Sequence, residues 1–348
     1  MSAKKDSERR GPSRAVIWDI AQQSGVSIAT VSRVLNGRPD VSISTREKVL
    51  GYVRELGYVS NRHARALVSG RVSYIGFMVP KIEHFTQVLA GATEAVEERD
   101  AHIVVCPTRH EHEREISLLG QLQAGGADGA LLVLPTESSA ELVQLRQQGY
   151  PFVVIDPRFS LDEGIPVVAT ANMGGGRVAT EHLVALGHKR IGVITGPPGW
   201  CDSLDRLAGY HSVLFASGIA NVPELVREGD FTHEGGYRAA RQLLALSKRP
   251  TAIFAFNDDM ALGAIRAAQE HSLAVPADLS VMGFADSPFA AMANPSLTSV
   301  FQPSYELGRS AVNLLYRILD GEQLEATRIE LSTRLIVRAS TTACKNAK

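Results

Sequence analysis

The chain has 348 residues, 45% of them apolar, with 36 Lys/Arg against 37 Asp/Glu for a net charge of −1, and is too long for one ordinary domain. Cys106, Cys201 and Cys344 are far apart, with no Cys-x-x-Cys spacing, which argues against a disulfide framework and for a reducing compartment. No stretch reaches the ~18 apolar residues of a membrane span and the charged N-terminus has no apolar leader core, so a cytoplasmic protein without a membrane partner is expected.

The small net charge hides a segregation. Residues 1–71 hold 13 Lys/Arg and 6 Asp/Glu, net +7, and the remainder holds 23 and 31, net −8. A basic end suits a polyanion, from which an acidic body is repelled. A solvated charged tail is the plainer account of Lys4, Lys5, Arg9 and Arg10, and residues 1–14 are expected to be a disordered basic tail.

Residues 16–36 fit two short helices joined by a tight turn. Ile17, Ile20 and Ala21 share one apolar face, Gly25 can take the bend, and Ser27 can accept a backbone N–H at the start of the next helix. In that second helix Val31, Val34 and Leu35 fall inward, leaving Ile28, Ala29, Ser32 and Arg33 outside, where a DNA major groove could meet them. Thr30 and Asn36 suit phosphate contacts. An ordinary helical hairpin with Gly25 as a helix end remains open on spacing alone. Ser44-Thr45-Arg46-Glu47 reads as a capping box for a third helix with Val49, Leu50, Val53 and Leu56 on one face and Gly57 beyond its end. Residues 15–60 are thus expected to be a three-helix headpiece. Residues 61–71, around Ala64, Ala66 and Leu67, make a short helix that is unstable alone.

From Tyr74 the pattern alternates. Apolar runs at 74–79, 103–105, 130–134, 152–155, 191–194, 252–256 and 279–284 sit between longer stretches of helical period, as buried parallel strands do with crossover helices. The expected fold class is α/β, with two doubly wound parallel sheets. The glycine run 174–176 is neither a dinucleotide fingerprint nor a P-loop, and eases a helix onto a sheet. The ten histidines are scattered, and His110 and His112, two apart, do not share a helix face. No nucleophile, base and orienting group assemble. No enzyme activity, cofactor or metal is expected.

Asp19-Ile20-Ala21, Gly25-Val26-Ser27, the run Thr30 to Asn36, Leu56-Gly57-Tyr58 and Asn61-Arg62 together resemble the lactose/galactose repressor (LacI/GalR) family of transcriptional regulators. The similarity continues through Gly187-His188, Arg206 to Tyr210, Asn257-Asp258, Met260 to Gly263 and Gly283-Phe284, and so covers roughly residues 15 to 340. The resemblance implies a helix-turn-helix headpiece followed by a two-lobed, periplasmic-binding-protein-like body at residues 72–340. The N-lobe is expected at about 72–169 and 301–327 and the C-lobe at about 170–300 and 328–340, with crossings near Ala169, Val300 and Thr327. It also implies a homodimer on double-stranded operator DNA, a hinge helix that wedges Leu67 into the minor groove, and DNA contacts from Ser27, Ile28, Ala29, Thr30, Arg33, Asn36, Asn61 and Arg62. A solvated linker is the alternative for the hinge.

A small sugar or sugar derivative is the implied effector, bound in the cleft at the carboxyl ends of the strands. By motif match Asp156, Arg206, Phe231 and Asn257 fall at effector-contacting positions. His84, Phe85, Arg109 and Arg158 follow strand ends and are weaker candidates. Asp156 could instead cap the loop before Pro157, Arg206 could pair with Asp202 or Asp205, and Asp258 reads as a helix cap. Where the family usually has an acid after Gly283-Phe284 this chain has Ala285, with Asp286 next as the candidate effector contact, a departure that leaves open a non-sugar ligand or control by a partner protein. A sugar receptor without a DNA role is opposed by the headpiece.

Overall fold

The computed structural model describes residues 17–35, 41–56 and 74–345, in two compact units, one within Met1–Val72 and the other within Ser73–Lys348. The expected tail at 1–14, the hinge at 61–71, and Asn36, Asn61, Arg62 and Leu67 with them, lie outside the described residues.

In the first unit α1 (Ile17–Ser24), α2 (Ile28–Leu35) and α3 (Ile43–Glu55) close on a core of Ile20, Ala21, Val31, Val34 and Val49. Gly25 takes the bend at φ +66°, a region that penalises a Cβ. The Thr30 N–H donates to Ser27 Oγ at 3.1 Å, so Ser27 caps α2. Two expectations for α3 change. The cap is Ser42, whose Oγ accepts from the Thr45 N–H at 3.2 Å, rather than Ser44, because the helix begins at Ile43 and the cap is the residue just before it. Leu50 is 38% exposed: Val49, Val53 and Leu56 occupy the inner row, and Leu50 sits about 100° round from Val49.

The second unit begins with β1 (Tyr74–Val79), α4 (Thr86–Glu97), β2 (His102–Pro107), α5 (His112–Ala124), β3 (Gly129–Val133), α6 (Ser139–Gln147), β4 (Phe152–Ile155) and β5 (Val167–Thr170). It continues through α7 (Asn172–Ala185), β6 (Ile191–Thr195), α8 (Cys201–Ala216), β7 (Val226–Glu228), α9 (His233–Leu244), β8 (Ala252–Ala255), α10 (Asp258–Glu270), β9 (Ser280–Ala285) and α11 (Pro288–Met292). Last come β10 (Thr298–Phe301), α12 (Ser304–Leu319), β11 (Arg328–Leu331) and β12 (Arg334–Ile336). Two six-stranded sheets result, ordered β11-β5-β4-β3-β1-β2 and β12-β10-β9-β8-β6-β7. Every pairing is parallel except that of β12 with β10.

Burial on both faces explains the near-continuous apolar strands. In the first sheet Phe77, Leu131, Val153 and Val168 point to α4 and α12, whereas Met78, Leu132, Val154 and Val167 point to Leu119, Leu122 and Leu142 on the helices opposite. The chain passes between the sheets at Ala171, at Gln302-Pro303 and at Ser332-Thr333. The third passage differs from the expected position near Thr327: residues 328–331 belong to the first sheet, not the second, because Arg328–Leu331 pairs along β5 before the chain leaves. Among the described residues no helix is long and apolar enough to cross a membrane.

The packing of α7 on α8 depends on Gly176 and Gly209. A Cβ on Gly209 would lie 2.3 Å from the Met173 carbonyl oxygen, and one on Gly176 would lie 2.3 Å from that of Arg206. The helices therefore touch backbone to backbone, which holds Arg206 against α7. Gly209→Val should lower stability by about 1–3 kcal/mol through overpacking, despite the ~1 kcal/mol that replacing a helical glycine can return. Urea denaturation of the variant measures this, and an unchanged midpoint would contradict the contact.

Candidate nucleic-acid interface and effector cleft

In the headpiece, α2 presents Ile28, at 47% exposure, together with Ala29 and Arg33 to solvent, while Val31 and Val34 are buried. Its N-terminus is closed by Ser27 and Thr30, whose hydroxyls are 2.9 Å apart. The exposed face combines one guanidinium with small and branched apolar groups, a vocabulary suited to a guanine edge and to thymine methyls.

In the larger unit the carboxyl ends of the parallel strands face the crossings, and the charged candidates converge there. Asp156 follows β4 at φ +46°. Its Oδ1 accepts the Thr170 N–H at 2.7 Å, and its Oδ2 accepts the Thr170 hydroxyl at 3.2 Å and Gln302 Nε2 at 3.0 Å. Thr170 precedes the first crossing and Gln302 lies in the second, so Asp156 joins the two rather than capping its own loop. Desolvation pushes its carboxyl up to about 6, with Asp202 adding to the rise and the Thr170 N–H and Arg206 opposing it.

Arg206, on α8, is 5% exposed. Its Nε donates to Asn172 Oδ1 at 2.9 Å, Nη1 donates to the Phe256 carbonyl, Nη2 lies 3.8 Å from Asp202 Oδ2, and the guanidinium stacks 3.8 Å from the Phe284 ring centroid. Burial lowers its pKa, and Asp202, Asp156, Asp205 and Asp258 act against that. The glycine run in α7 has a matching role: Gly175 lies beneath the Phe284 ring and Gly176 beneath the backbone of Arg206.

Phe231, at φ +61°, is held by Asn257 Nδ2, which donates to its carbonyl at 2.8 Å. Asn257 also accepts the Met260 N–H at 2.9 Å and so is the N-cap of α10. That corrects the expectation that Asp258 is the cap. Asp258, 2% exposed, instead accepts the Ser287 N–H and the Ser299 hydroxyl, each at 2.6 Å, because its side chain points across to β10. Burial raises its pKa to about 6.

The remaining candidates divide. Asp286 is turned away, its Oδ1 being 2.6 Å from Arg338 Nη1, because the left-handed backbone at Ala285 and Asp286 swings the carboxylate toward the chain's last segment. His84 is exposed, and Phe85 packs on the first sheet's core. Arg109 is exposed. Arg158 is half-buried, its guanidinium 4.8 Å from the Trp200 ring centroid and in contact with His110 Nδ1. The Cys201 N–H donates to its carbonyl at 2.7 Å, linking the lobes. Burial, then Arg158, Lys81 and His84, lower His110 to about 4, which leaves its imidazole neutral at pH 7.

Asn172, Gln302 and Trp200 were not among the sequence candidates, whereas the pairing of Arg206 with Asp202 was one of the alternatives the sequence offered. The Trp200 ring lies 5.8 Å from Phe231 and 6.0 Å from His110. An aromatic placed just after Gly196-Pro197-Pro198-Gly199, at the end of a strand turn, was the available signal. Among the described residues no group of three or more His, Cys, Asp or Glu could hold a metal ion. The arrangement offers planar hydrogen-bonding groups beside aromatic faces, which suits a polyhydroxylated ring.

Residues 16–61 match the family described as bacterial regulatory proteins, lacI family, and residues 180–341 match the periplasmic binding protein-like domain. The chain is 37% identical over 337 residues to the HTH-type transcriptional regulator CelR of Thermobifida fusca, covering 94% of this chain and 98% of that protein. Similar solved structures include a transcriptional regulator CelR–cellobiose complex, with 35% identity, 94% and 100% coverage and a TM-score of 0.72. Another is the lac repressor dimer bound to operator and the anti-inducer ONPF, with 30% identity, 95% and 100% coverage and a TM-score of 0.84.

The raised Asp258 carboxyl has a defined pH signature. The folded state keeps its proton to about 6, whereas the unfolded chain loses it near ~3.9, so stability present at low pH is lost as pH rises through that window. The wild type's stability relative to Asp258→Asn should therefore be about 2 kcal/mol greater at pH ~4 than at pH ~7. Paired urea titrations at the two pH values check this, and a constant difference would refute it.

Proposed function

The chain belongs to the lacI family of bacterial regulatory proteins, and from that premise we propose a dimeric, sequence-specific repressor whose operator affinity is set by a small saccharide bound between its two lobes. What supports the effector assignment is the convergence of a buried Arg206, the Asp156 carboxylate and the Phe231 ring where the lobes join. A guanidinium and a carboxylate bind hydroxyl pairs through two contacts each, and a ring covers the C–H face. These residues are read as a binding site.

Coupling follows from the same contacts. Asp156 is bonded to segments at two of the three crossings, so a ligand that competes for that carboxylate biases how the lobes lie. Each site then shifts the other's affinity by the same coupling free energy, typically ~1–3 kcal/mol. Ile28, Ala29 and Arg33 would read base edges, and Ser27 and Thr30 would sit at phosphates. A cytoplasmic location accords with this role. Control by a partner protein is the second reading, favoured by the engagement of Asp286 with Arg338, which leaves no acid after Gly283-Phe284.

A thermal-shift screen of the full chain against pentoses, hexoses, disaccharides, sugar acids, sugar phosphates and nucleosides tests the effector role, because a ligand that binds only the folded state raises its melting temperature. A stabilising saccharide whose effect is lost in Arg206→Ala is the expected result, and a silent panel favours the partner. For the headpiece, Arg33→Ala should weaken operator binding by about 1–3 kcal/mol and relax preference at one base per half-site. Equal loss across half-site variants in a binding titration would remove its reading role.

A further inference from the structure

One corner of the N-lobe is unlike the rest of the cleft wall. Thr108 follows β2, Glu137 follows β3 and Arg158 follows β4, so all three come from the strand ends that face the other lobe, and Glu115 projects from the first turn of α5. Thr108 and Glu115 are fully buried and Glu137 is 4% exposed. Glu115 Oε2 is occupied, accepting the Thr136 N–H at 2.9 Å and the Thr136 hydroxyl. Among the described residues, however, Thr108 Oγ1, Glu115 Oε1, Arg158 Nε and, apart from its own backbone N–H, the Glu137 carboxyl meet no hydrogen-bond partner.

A buried polar group left unmatched costs about 1–3 kcal/mol, and folded proteins carry few. Of the nine buried side-chain atoms without a hydrogen bond among the described residues, Asp286 Oδ1 is ion-paired with Arg338 and five of the other eight belong to these four residues. Arg158 ties this corner to the effector cleft: it feels the charges of Glu115 and Glu137 on one side and lies over Trp200 on the other, and a row of rings runs from Phe231 through Trp200 to His110.

We propose that Thr108, Glu115, Glu137 and Arg158 form a second saccharide subsite, which takes the hydroxyls of the outer ring of a neutral disaccharide beside the indole of Trp200 while Arg206 and Asp156 hold the inner ring. The subsite rests on the assignment of the cleft as a saccharide site. Carboxyl oxygens and a guanidinium N–H match vicinal hydroxyls in both directions, and a hydroxyl can donate to one carboxyl while accepting from Arg158 Nε. The charge favours a neutral ligand. Arg158 offsets one carboxylate, and burial together with Glu115 lifts Glu137 to about 7, so it is half protonated near neutrality. A phosphate would meet the buried acids, and an ammonium would meet Arg158.

Titration calorimetry on the full chain with glucose, galactose, cellobiose, lactose and maltose tests the assignment. At least one disaccharide should bind about tenfold or more tightly than its component sugar, because a site built to pair hydroxyls discriminates against a ligand that lacks them. Glu137→Gln, nearly isosteric, should remove that advantage and leave monosaccharide affinity within about twofold, and Trp200→Leu should act in the same direction. Arg206→Ala should abolish binding of both sugar sizes. Equal affinity for one and two rings, or Glu137→Gln weakening both ligands alike or neither, overturns the second subsite and leaves the cleft assignment standing. Binding that survives Arg206→Ala, or no binding by any of the five sugars, overturns the cleft assignment and the subsite with it. Melting temperatures of the variants separate loss of contact from loss of fold.

Discussion

The cleft is organised by a guanidinium that has lost its water. Arg206 stays protonated even at 5% exposure, and removing such a charge from solvent costs several kcal/mol unless carboxylates and carbonyls replace the hydration. The replacement comes from every side: Asn172 across the first crossing, Phe256 at the end of β8, Asp202 one turn earlier on α8, and the face of Phe284. Because these partners sit on different elements, the requirement to satisfy one cation aligns α7, α8, β8 and β9 at the lobe boundary. The Gly176–Gly209 contact belongs to the same constraint, since only a backbone-to-backbone approach lets α8 bring Arg206 within reach of Asn172.

Carboxylates near that cation are divided by their surroundings. Asp202 is the acid nearest to Arg206, Asp258 supports the turn after β9, and Asp156 ties two crossings together while its own ionised form is disfavoured. A group that is both part of the hinge and hard to ionise is poised to exchange a protein partner for a ligand hydroxyl at little net cost. Glu115 and Glu137 extend this pattern outward along the N-lobe, where acids are buried beside Arg158 and only partly matched.

The headpiece works by the opposite physics. Its stability comes from neighbours close in sequence: Gly25 in the turn, Ser27 and Ser42 as caps, and Val31, Val34 and Val49 against Ile20. An exposed reading face needs no burial, so α2 is free to carry Ile28, Ala29 and Arg33 outward at little cost to the fold.

How much was legible follows from that contrast. Helical period, capping residues and buried strand runs are properties of a few adjacent residues, so the sequence by itself determined the apolar faces of the helix pair, the alternation of strands and helices, the strand ends that carry Asp156 and Asn257, and the helix that carries Arg206. Ser44 and Leu50 were misjudged only where a one-residue shift in helix start or rotation decided the outcome. Pairings between distant segments were decided by the tertiary structure alone. Residues 328–331 joined the first sheet because β5 offered them a ladder. Asn257 took the cap because Asp258 found Ser287 and Ser299, and Asp286 was drawn to Arg338, which lies 52 positions along the chain. Trp200, and the acids at 115 and 137, acquire meaning only when loops from three strand ends and a second lobe converge, because desolvation and orphaned hydrogen bonds are properties of an assembled environment rather than of any residue type.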